Sequence, residues 1–241
     1  MAGNKLIFTA LAGSSFAGKS TLIADLVHLN EELDRTQVAT IAEYCAENGG
    51  NLNFRRIPFS SQTDAEANID DFIGWEKQRQ QLACRQRHNR PIIMDRTIFC
   101  FLLTQLMLAK FRPDWFNTYD YGIETVAKDL AGGRLILPQR LILLEPADEA
   151  TFLSRTSRGV SVSFFNEPKI WRFFSRSYRL IIEQLYGEGN NLILYSNNSP
   201  ESRADLAHRA KDFLISNQPV AIATVEDFKK LFSELRSLTD D

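Results

Sequence analysis

The stretch Gly13-Ser14-Ser15-Phe16-Ala17-Gly18-Lys19-Ser20 decides the fold of this chain of 241 residues. It matches the pattern G-x-x-x-x-G-K-S/T at every defined position, and its flanking residues fit the same arrangement. Residues 5–11 form a short apolar run that predicts a buried strand, and residues 19–29 carry apolar side chains at helical spacing. The sequence therefore predicts a strand, a glycine-containing loop and a helix in direct succession.

A loop of this kind is suited to holding phosphate. Its glycines allow the backbone to approach an anion closely, so that successive N–H groups point inward. The following helix directs the positive end of its dipole at the same point. The Lys19 ammonium can neutralise β- and γ-phosphate oxygens, and the Ser20 hydroxyl can ligate Mg²⁺. The residues predicted to bind a nucleotide in this way are Gly13, Ser14, Ser15, Phe16, Ala17, Gly18, Lys19, Ser20 and Thr21.

The composition excludes several other classes of protein. Hydrophobic residues make up 44% of the chain and charged residues 24%, which is typical of a globular protein with a core. The net charge of -2 provides no overall basic field, so we expect no nucleic-acid partner. No apolar stretch reaches the length of about 18 residues that a membrane span needs. The N-terminal residues lack the pattern of a signal peptide, and we therefore expect a cytoplasmic protein.

Apolar runs and helical patterns alternate along the rest of the chain. Further strands are predicted at residues 36–41, 91–94, 140–144 and 191–195, and further helices at 65–88, 98–110, 148–156, 168–186 and 200–216. Residues 114–122 are interpreted as an aromatic loop or a short helix. This alternation predicts an α/β fold, namely a three-layer α/β/α sandwich around a five-stranded parallel sheet, with a helical lid.

The domain organisation is interpreted as one domain with an extension. Residues 1–216 form the domain, which includes a lid at residues 153–180. Residues 217–241 form a C-terminal extension with an amphipathic helix, whose apolar stripe can dock on the core or bind a partner. The segment 155–179 carries six basic side chains and one acidic one, a charge of +5. Such a segment either stabilises charge during phosphoryl transfer or forms a solvated helix face.

Several motifs resemble those of the nucleoside and nucleotide kinases, specifically the thymidylate kinases and the deoxynucleoside kinases. Asp95-Arg96-Thr97 follows the third predicted strand and resembles the Asp-Arg signature of that group. Residues 72–79 resemble the helix that faces the acceptor nucleoside, and residues 140–148 resemble the fourth strand and the start of the next helix. Arg155 and Arg158 resemble its basic lid. The resemblance covers residues 5–216 and leaves the last helix unmatched.

The resemblance implies a Mg²⁺-dependent kinase with ATP as the phosphate donor. Lys19 then holds the donor phosphates, and Ser20 and Asp95 organise Mg²⁺. Glu43, directly after the second predicted strand, accepts the proton of an attacking 5′-hydroxyl. The implied catalytic residues are Lys19, Glu43, Asp95, Arg96, Arg155 and Arg158, and the implied acceptor contacts are Trp75, Gln78, Arg79 and Arg96.

The small-molecule acceptor is left open between a nucleoside and a nucleoside monophosphate. Nucleotide kinases of this group tend to place an arginine just before the glutamate, whereas this chain has Ala42, which favours an uncharged hydroxyl. Arg55 and Arg56 can instead bind a monophosphate, and residues 119–121 can wall the acceptor site. A kinase of another hydroxylated metabolite or antibiotic, or a regulatory ATP-binding module, shares the same donor features. The resembled enzymes are often dimers, so a homodimer is also allowed.

Overall fold

Among the residues that the structure describes, the sheet has five parallel strands. The computed structural model describes residues 7–33, 38–43, 59–86, 90–157, 163–197, 199–216, 220 and 223–238. The strands lie in the order β2-β3-β1-β4-β5, and every neighbouring pair is parallel. Their bounds are β1 Thr9–Ala12, β2 Ala39–Ile41, β3 Ile92–Asp95, β4 Arg140–Pro146 and β5 Asn191–Ser196. The predicted α/β fold with a five-stranded parallel sheet is confirmed.

Eight α-helices lie among the described residues. They are α1 Lys19–Leu33, α2 Gln62–Gln86, α3 Ile98–Phe111, α4 Tyr119–Ala131, α5 Glu149–Thr156, α6 Pro168–Leu185, α7 Pro200–Ile215 and α8 Val225–Arg236. A 3-10 turn, Ser163–Asn166, precedes α6. The starts of α5 and α7 carry side-chain caps, since Asp148 accepts from the Thr151 N–H and Ser199 from the Ser202 N–H. No described helix is both long enough and apolar enough to cross a membrane.

The helices cover both faces of the sheet, because successive strand residues point to opposite sides. On β4, Leu141 and Leu143 pack into a core shared with α2, α3, α4, α6 and α8. Ile142 and Leu144 pack into a second core with α1 and α7. The carboxyl ends of all five strands therefore lie at one edge, between two helical layers, which is where ligands bind in open parallel sheets.

Helix α4 corrects the interpretation of residues 114–122 as an aromatic loop or short helix. The helix begins at Tyr119 and continues to Ala131, well beyond residue 122. Its buried side includes Tyr119, Ile123 and Val126, which recur at the three- and four-residue spacing of one helix face. The same spacing is present in the sequence of residues 119–131, and it extends beyond the aromatic residues on which the shorter interpretation rested.

The C-terminal helix α8 packs into the largest hydrophobic core that the described residues form. Phe228, Leu231, Phe232 and Leu235 are fully buried, and the Tyr119 hydroxyl donates to the Phe232 carbonyl over 2.7 Å. A capping box between Thr224 and Asp227 fixes the start of the helix. The apolar stripe of α8 is therefore occupied by the chain itself, and it joins the same hydrophobic cluster as α3, α4 and α6.

Candidate active site

The loop between β1 and α1 has backbone angles that its glycines make possible. Gly13 has a φ of 137° and Gly18 a φ of 98°, both in the region that side chains rarely allow. A Cβ on Gly13 would also lie 2.1 Å from the Leu144 carbonyl oxygen, so no side chain fits between the loop and β4. Phe16 adopts a φ of 65° although it is not a glycine. The loop is thus folded tightly against the carboxyl edge of the sheet.

The Lys19 ammonium lies inside this loop. Its Nζ donates to the carbonyl oxygens of Gly13 over 2.9 Å and Ser14 over 2.7 Å, and the residue is 7% exposed. Burial, followed by the neighbouring positive charge of Arg96, lowers the pKa of Lys19 to about 8. The negative charge of a polyphosphate bound at this loop would offset the solvation that the Lys19 ammonium loses on burial. The position therefore favours a bound anion.

Three charged residues from two neighbouring strand ends meet beside Lys19. Asp95 is the last residue of β3, and Arg96 follows it directly. Glu43 lies just after the end of β2. Arg96 Nε lies 2.8 Å from Glu43 Oε2, and the Arg96 N–H donates to the Leu11 carbonyl over 3.0 Å. Arg96 has a φ of 56°, an uncommon angle for a non-glycine residue. The turn after β3 therefore directs its charged side chains across the carboxyl edge of the sheet.

Asp95 is a buried carboxylate whose position fits a metal site. It is 4% exposed, and its Oδ1 has no hydrogen-bond partner in the described part of the chain. Burial raises the pKa of Asp95, while the charges of Lys19 and Arg96 oppose this rise. The described residues contain no cluster of three or more acidic, histidine or cysteine ligands. Mg²⁺ at a phosphate loop instead needs a hydroxyl, a nearby carboxylate and substrate oxygens, and Ser20 with Asp95 fits that requirement.

These groups open onto one cleft of about 480 Å³. The structure brings together nine of the predicted site residues there, which are Phe16, Gly18, Lys19, Ser20, Thr21, Glu43, Asp95, Arg96 and Arg155. The remaining wall was not predicted from the sequence; it is formed by Leu22, Asp25, Leu144, Ser196, Asn197, Arg203 and Leu206. Part of this wall could have been predicted from the strand at 191–195 and the helix at 200–216. The loop between them follows a parallel strand and must therefore lie at the carboxyl edge of the sheet, beside the phosphate loop.

Arg155 lies against the phosphate loop and the end of β5. Its Nη1 donates to the carbonyl oxygens of Phe16 over 3.2 Å and Ala17 over 3.0 Å, and to Ser196 Oγ over 2.8 Å. Its Nη2 donates to the Asn197 carbonyl over 2.7 Å. These contacts tie two loops together at the side of the cleft. The other predicted lid arginine, Arg158, lies outside the described residues.

The three predicted acceptor contacts on α2 do not line this cleft. Arg79 is 2% exposed, and its guanidinium donates to Glu76, to the Ala42 carbonyl and to the Asp95 carbonyl over 2.9, 3.0 and 2.6 Å. Gln78 is exposed, and Trp75 packs edge-on against a neighbouring ring, Phe72. Arg79 therefore connects α2 to the ends of β2 and β3, and this contact supports the turn that carries Arg96.

Three of the four basic side chains of α6 form ion pairs with acidic residues outside the cleft. Arg172 pairs with Glu149 over 2.7 Å, and Arg179 pairs with the buried Glu145 over 2.6 Å. Lys169 pairs over 2.8 Å with Glu167, which lies just before the helix. The charge of +5 counted along residues 155–179 is therefore reduced by carboxylates from other segments. Among the arginines of this segment that the structure describes, the cleft is lined by Arg155.

Residues 119–121 also lie away from the cleft. The Tyr119 ring is buried in the core, and Asp120 pairs with Arg236 of α8. The Tyr121 hydroxyl donates to the Asp70 carboxylate of α2, at 3.0 Å from Oδ2. These residues join α4 to its neighbouring helices, and none of them lines the cleft described above.

Comparison with solved structures places the fold among the phosphate-loop kinases. The chain is similar to a deoxyadenosine kinase from M. mycoides, solved with its products dCMP and a flexible dCDP, with a TM-score of 0.56 and 17% identity over 86% of this chain and 99% of that one. It is also similar to a thymidylate kinase from Ehrlichia chaffeensis, with a TM-score of 0.52 and 12% identity over 88% of this chain and 99% of that one. No protein-family model and no curated protein matches the sequence. The chain thus has the fold of the phosphate-loop nucleoside and nucleotide kinases.

Proposed function

We propose that this protein is a Mg²⁺-ATP-dependent kinase that transfers the γ-phosphoryl group to a nucleoside or a nucleoside monophosphate. The observation that carries the proposal is the convergence of Lys19, Asp95, Arg96 and Glu43 on one cleft beside the phosphate loop. Each has a role in phosphoryl transfer, which depends on positioning and on stabilising charge. The volume of about 480 Å³ lies in the range of small-molecule sites.

The donor half of the reaction is assigned to the loop and the end of β3. Loop N–H groups and Lys19 bind the β- and γ-phosphates, and Ser20 and Asp95 hold Mg²⁺. The metal ion, when bound, neutralises charge on the phosphate oxygens. Arg158 of the proposed lid supplies further positive charge, and burial of Lys19 strengthens its attraction for the anion.

The acceptor half of the reaction is assigned to Glu43 and Arg96. The Glu43 carboxylate orients the attacking hydroxyl and takes its proton, a role that contributes about 10²–10⁴-fold in enzymes. The Arg96 guanidinium holds this carboxylate in place, 2.8 Å away, and offsets the charge that develops on the acceptor. Because Asp95 is followed by Arg96 rather than by a glutamate, the site is better suited to transfer than to hydrolysis.

An uncharged hydroxyl is the favoured acceptor. Ala42 supplies no positive charge beside Glu43, and the guanidinium of Arg79 donates hydrogen bonds to Glu76 and to three backbone carbonyls. Arg55 and Arg56, which can bind a monophosphate, lie outside the described residues. A kinase of another hydroxylated metabolite is the second candidate. It is favoured by the position of Trp75, Gln78 and Arg79 away from the cleft.

A screen for acceptors tests the proposal. ADP release from Mg²⁺-ATP is measured with nucleosides, nucleoside monophosphates and hydroxylated metabolites, and reactions without acceptor or without Mg²⁺ serve as controls. Mg²⁺-dependent ADP release that requires a nucleoside or its monophosphate is expected. Stimulation by another metabolite alone would support the second candidate. ATP binding without stimulation by any acceptor would favour a regulatory ATP-binding module and contradict the proposal.

A further inference from the structure

The phosphate loop contains a backbone angle that its own sequence does not favour. Phe16 has a φ of 65°, in the left-handed region that suits glycine, and a Cβ there makes the angle costly. Such an angle persists only when the surrounding contacts hold it. The contacts that hold Phe16 are therefore part of what keeps the loop ready for an anion.

Arg155 and Ser196 supply those contacts from outside the loop. Arg155 Nη1 donates to the carbonyl oxygens of Phe16 and Ala17 over 3.2 and 3.0 Å. The Ser196 hydroxyl lies 2.7 Å from the same Ala17 oxygen, within donating distance. These bonds fix the two peptide groups that follow the strained angle, and with them the direction of the Ala17 and Gly18 N–H groups.

The other end of the Arg155 guanidinium is anchored to the sheet. Nη2 donates to the Asn197 carbonyl over 2.7 Å, just after β5, and Nη1 also reaches Ser196 Oγ over 2.8 Å. Burial lowers the pKa of Arg155, but an arginine remains charged at neutral pH, so its bonds are charge-assisted. These four acceptors are uncharged oxygens, two in the phosphate loop and two at the end of β5 and just after it, and a long stretch of sequence separates the two pairs. Arg155 is thus placed to hold one loop against the other.

We infer that Arg155 is a positioning residue that holds the phosphate loop in its anion-binding conformation by supporting the left-handed backbone at Phe16. It acts through the loop carbonyls rather than by closing over the transferring phosphoryl group. Its effect on catalysis rests on the proposed kinase function, whereas its effect on the loop does not.

Two measurements on the full chain test this inference. Hydrogen exchange of the nucleotide-free protein reports the loop directly, and calorimetric titration with ATP reports its binding. Arg155→Gln is expected to speed exchange in residues 13–22 and to raise the ATP Kd about tenfold, the effect of losing charge-assisted hydrogen bonds. Arg172→Gln, which removes an exposed arginine on α6 paired with Glu149, is the matched control and should change neither.

A double-mutant cycle separates support of Phe16 from other effects of Arg155. Phe16→Gly removes the cost of the positive φ, so Arg155→Gln in that background should change the ATP Kd about threefold or less. In steady-state kinetics, Arg155→Gln should raise KM for ATP more than it lowers kcat. The conservative Arg155→Lys, which keeps the charge and some donors, should recover part of the affinity.

The results that would overturn the inference are distinct from a failure of the kinase proposal. Unchanged exchange of residues 13–22 in Arg155→Gln contradicts the inference, whatever the protein binds. So does a tenfold effect that persists in the Phe16→Gly background, or a loss confined to kcat. If the wild-type protein binds no ATP, the kinase proposal fails, and the exchange measurement still decides whether Arg155 holds the loop.

Discussion

Arg96 and Glu43 form an ion pair of 2.8 Å that joins the carboxyl ends of β3 and β2. Both side chains line the cleft beside Lys19, and each is about one-third exposed, which keeps them accessible to a substrate. The pair places a carboxylate next to the phosphate loop, with a cation that fixes its orientation. This geometry is what makes Glu43 the candidate for activating an acceptor hydroxyl.

Glu43→Gln tests that role. The amide keeps the size of the side chain but cannot take a proton, so kcat is expected to fall about 10²–10⁴-fold. KM for the acceptor should change far less, and the free energy of unfolding should fall by less than about 1 kcal/mol because the pair is partly exposed. Steady-state kinetics and urea unfolding measure these effects. Glu124→Gln, at a surface pair with Lys229, is the matched control, and an unchanged kcat in Glu43→Gln would remove Glu43 from the mechanism.

The lowered pKa of Lys19 predicts how ATP binding depends on pH. The free protein loses the Lys19 proton above pH of about 8, and the phosphates bind the protonated form. The affinity should be constant near pH 7 and should weaken by about tenfold per pH unit well above 8. Calorimetric titration from pH 7 to 9.5 measures this change, and Lys19→Arg should abolish it. Unaltered wild-type affinity at pH 9 would contradict the prediction.

The same pKa predicts the pH dependence of stability without nucleotide. Between the folded value of about 8 and the ordinary value of 10.5, the unfolded chain binds more of the Lys19 proton than the folded protein. This group therefore makes the folded protein more stable as pH rises through that window. The free energy of unfolding is measured against pH for the wild-type protein and for Lys19→Met. The wild-type value minus the variant value should increase as pH rises above about 8. The absence of this increase would show that the ammonium is not disfavoured in the fold.

Asp95→Asn should separate stability from activity. Burial raises the pKa of Asp95, so the folded protein favours the protonated form, and this contribution is lost as pH rises through the folded value. An amide avoids that cost, so the urea midpoint at pH 7 should rise. The corresponding gain in the free energy of unfolding is up to about 1–2 kcal/mol, as at other strained functional sites. Mg²⁺-dependent transfer should be lost. A lower midpoint would show that Lys19 and Arg96 stabilise the carboxylate by more than burial destabilises it.

Arg79→Ala should act on stability. Arg79 and Glu76 are 2% and 0% exposed, so removal of the arginine leaves a buried carboxylate without this cation and three backbone carbonyls without this donor. The expected loss is about 3–5 kcal/mol in the free energy of unfolding, measured by urea. Gln78→Ala, at the exposed neighbouring position, should change it by less than about 0.5 kcal/mol. Normal stability combined with a raised acceptor KM would instead assign Arg79 to substrate binding.

The sequence predicts the elements of this fold well, because their signals are local. The loop from Gly13 to Ser20 defines its own strand, turn and helix, and the alternation of apolar runs gives a parallel sheet. The end of β3 could be predicted for the same reason, because a local apolar run ends at Asp95. Since all carboxyl ends of a parallel sheet share one edge, the sequence alone predicts that Asp95 and Glu43 lie near Lys19.

The parts that could not be predicted depend on contacts between distant segments. Arg155 reaches a loop 138 residues away, and the cleft wall contains an Asp25–Arg203 pair separated by 178 residues. Arg79 was assigned to the acceptor because of its motif, yet its carbonyl partners lie at positions that only the packed helix brings together. No periodicity in the sequence encodes which way these guanidinium groups point.

Transfer of labelled γ-phosphate from ATP to a product of defined structure tests the central claim most directly. Wild-type protein with Mg²⁺ and the best acceptor of the screen should yield one equivalent of labelled phosphorylated acceptor per ADP formed. Lys19→Met should reduce transfer about a thousandfold or more, as expected when a main charge-stabilising group is lost, while Lys169→Met at a surface pair should retain it. Label that appears only as inorganic phosphate, or transfer at the wild-type rate by Lys19→Met, would contradict the account.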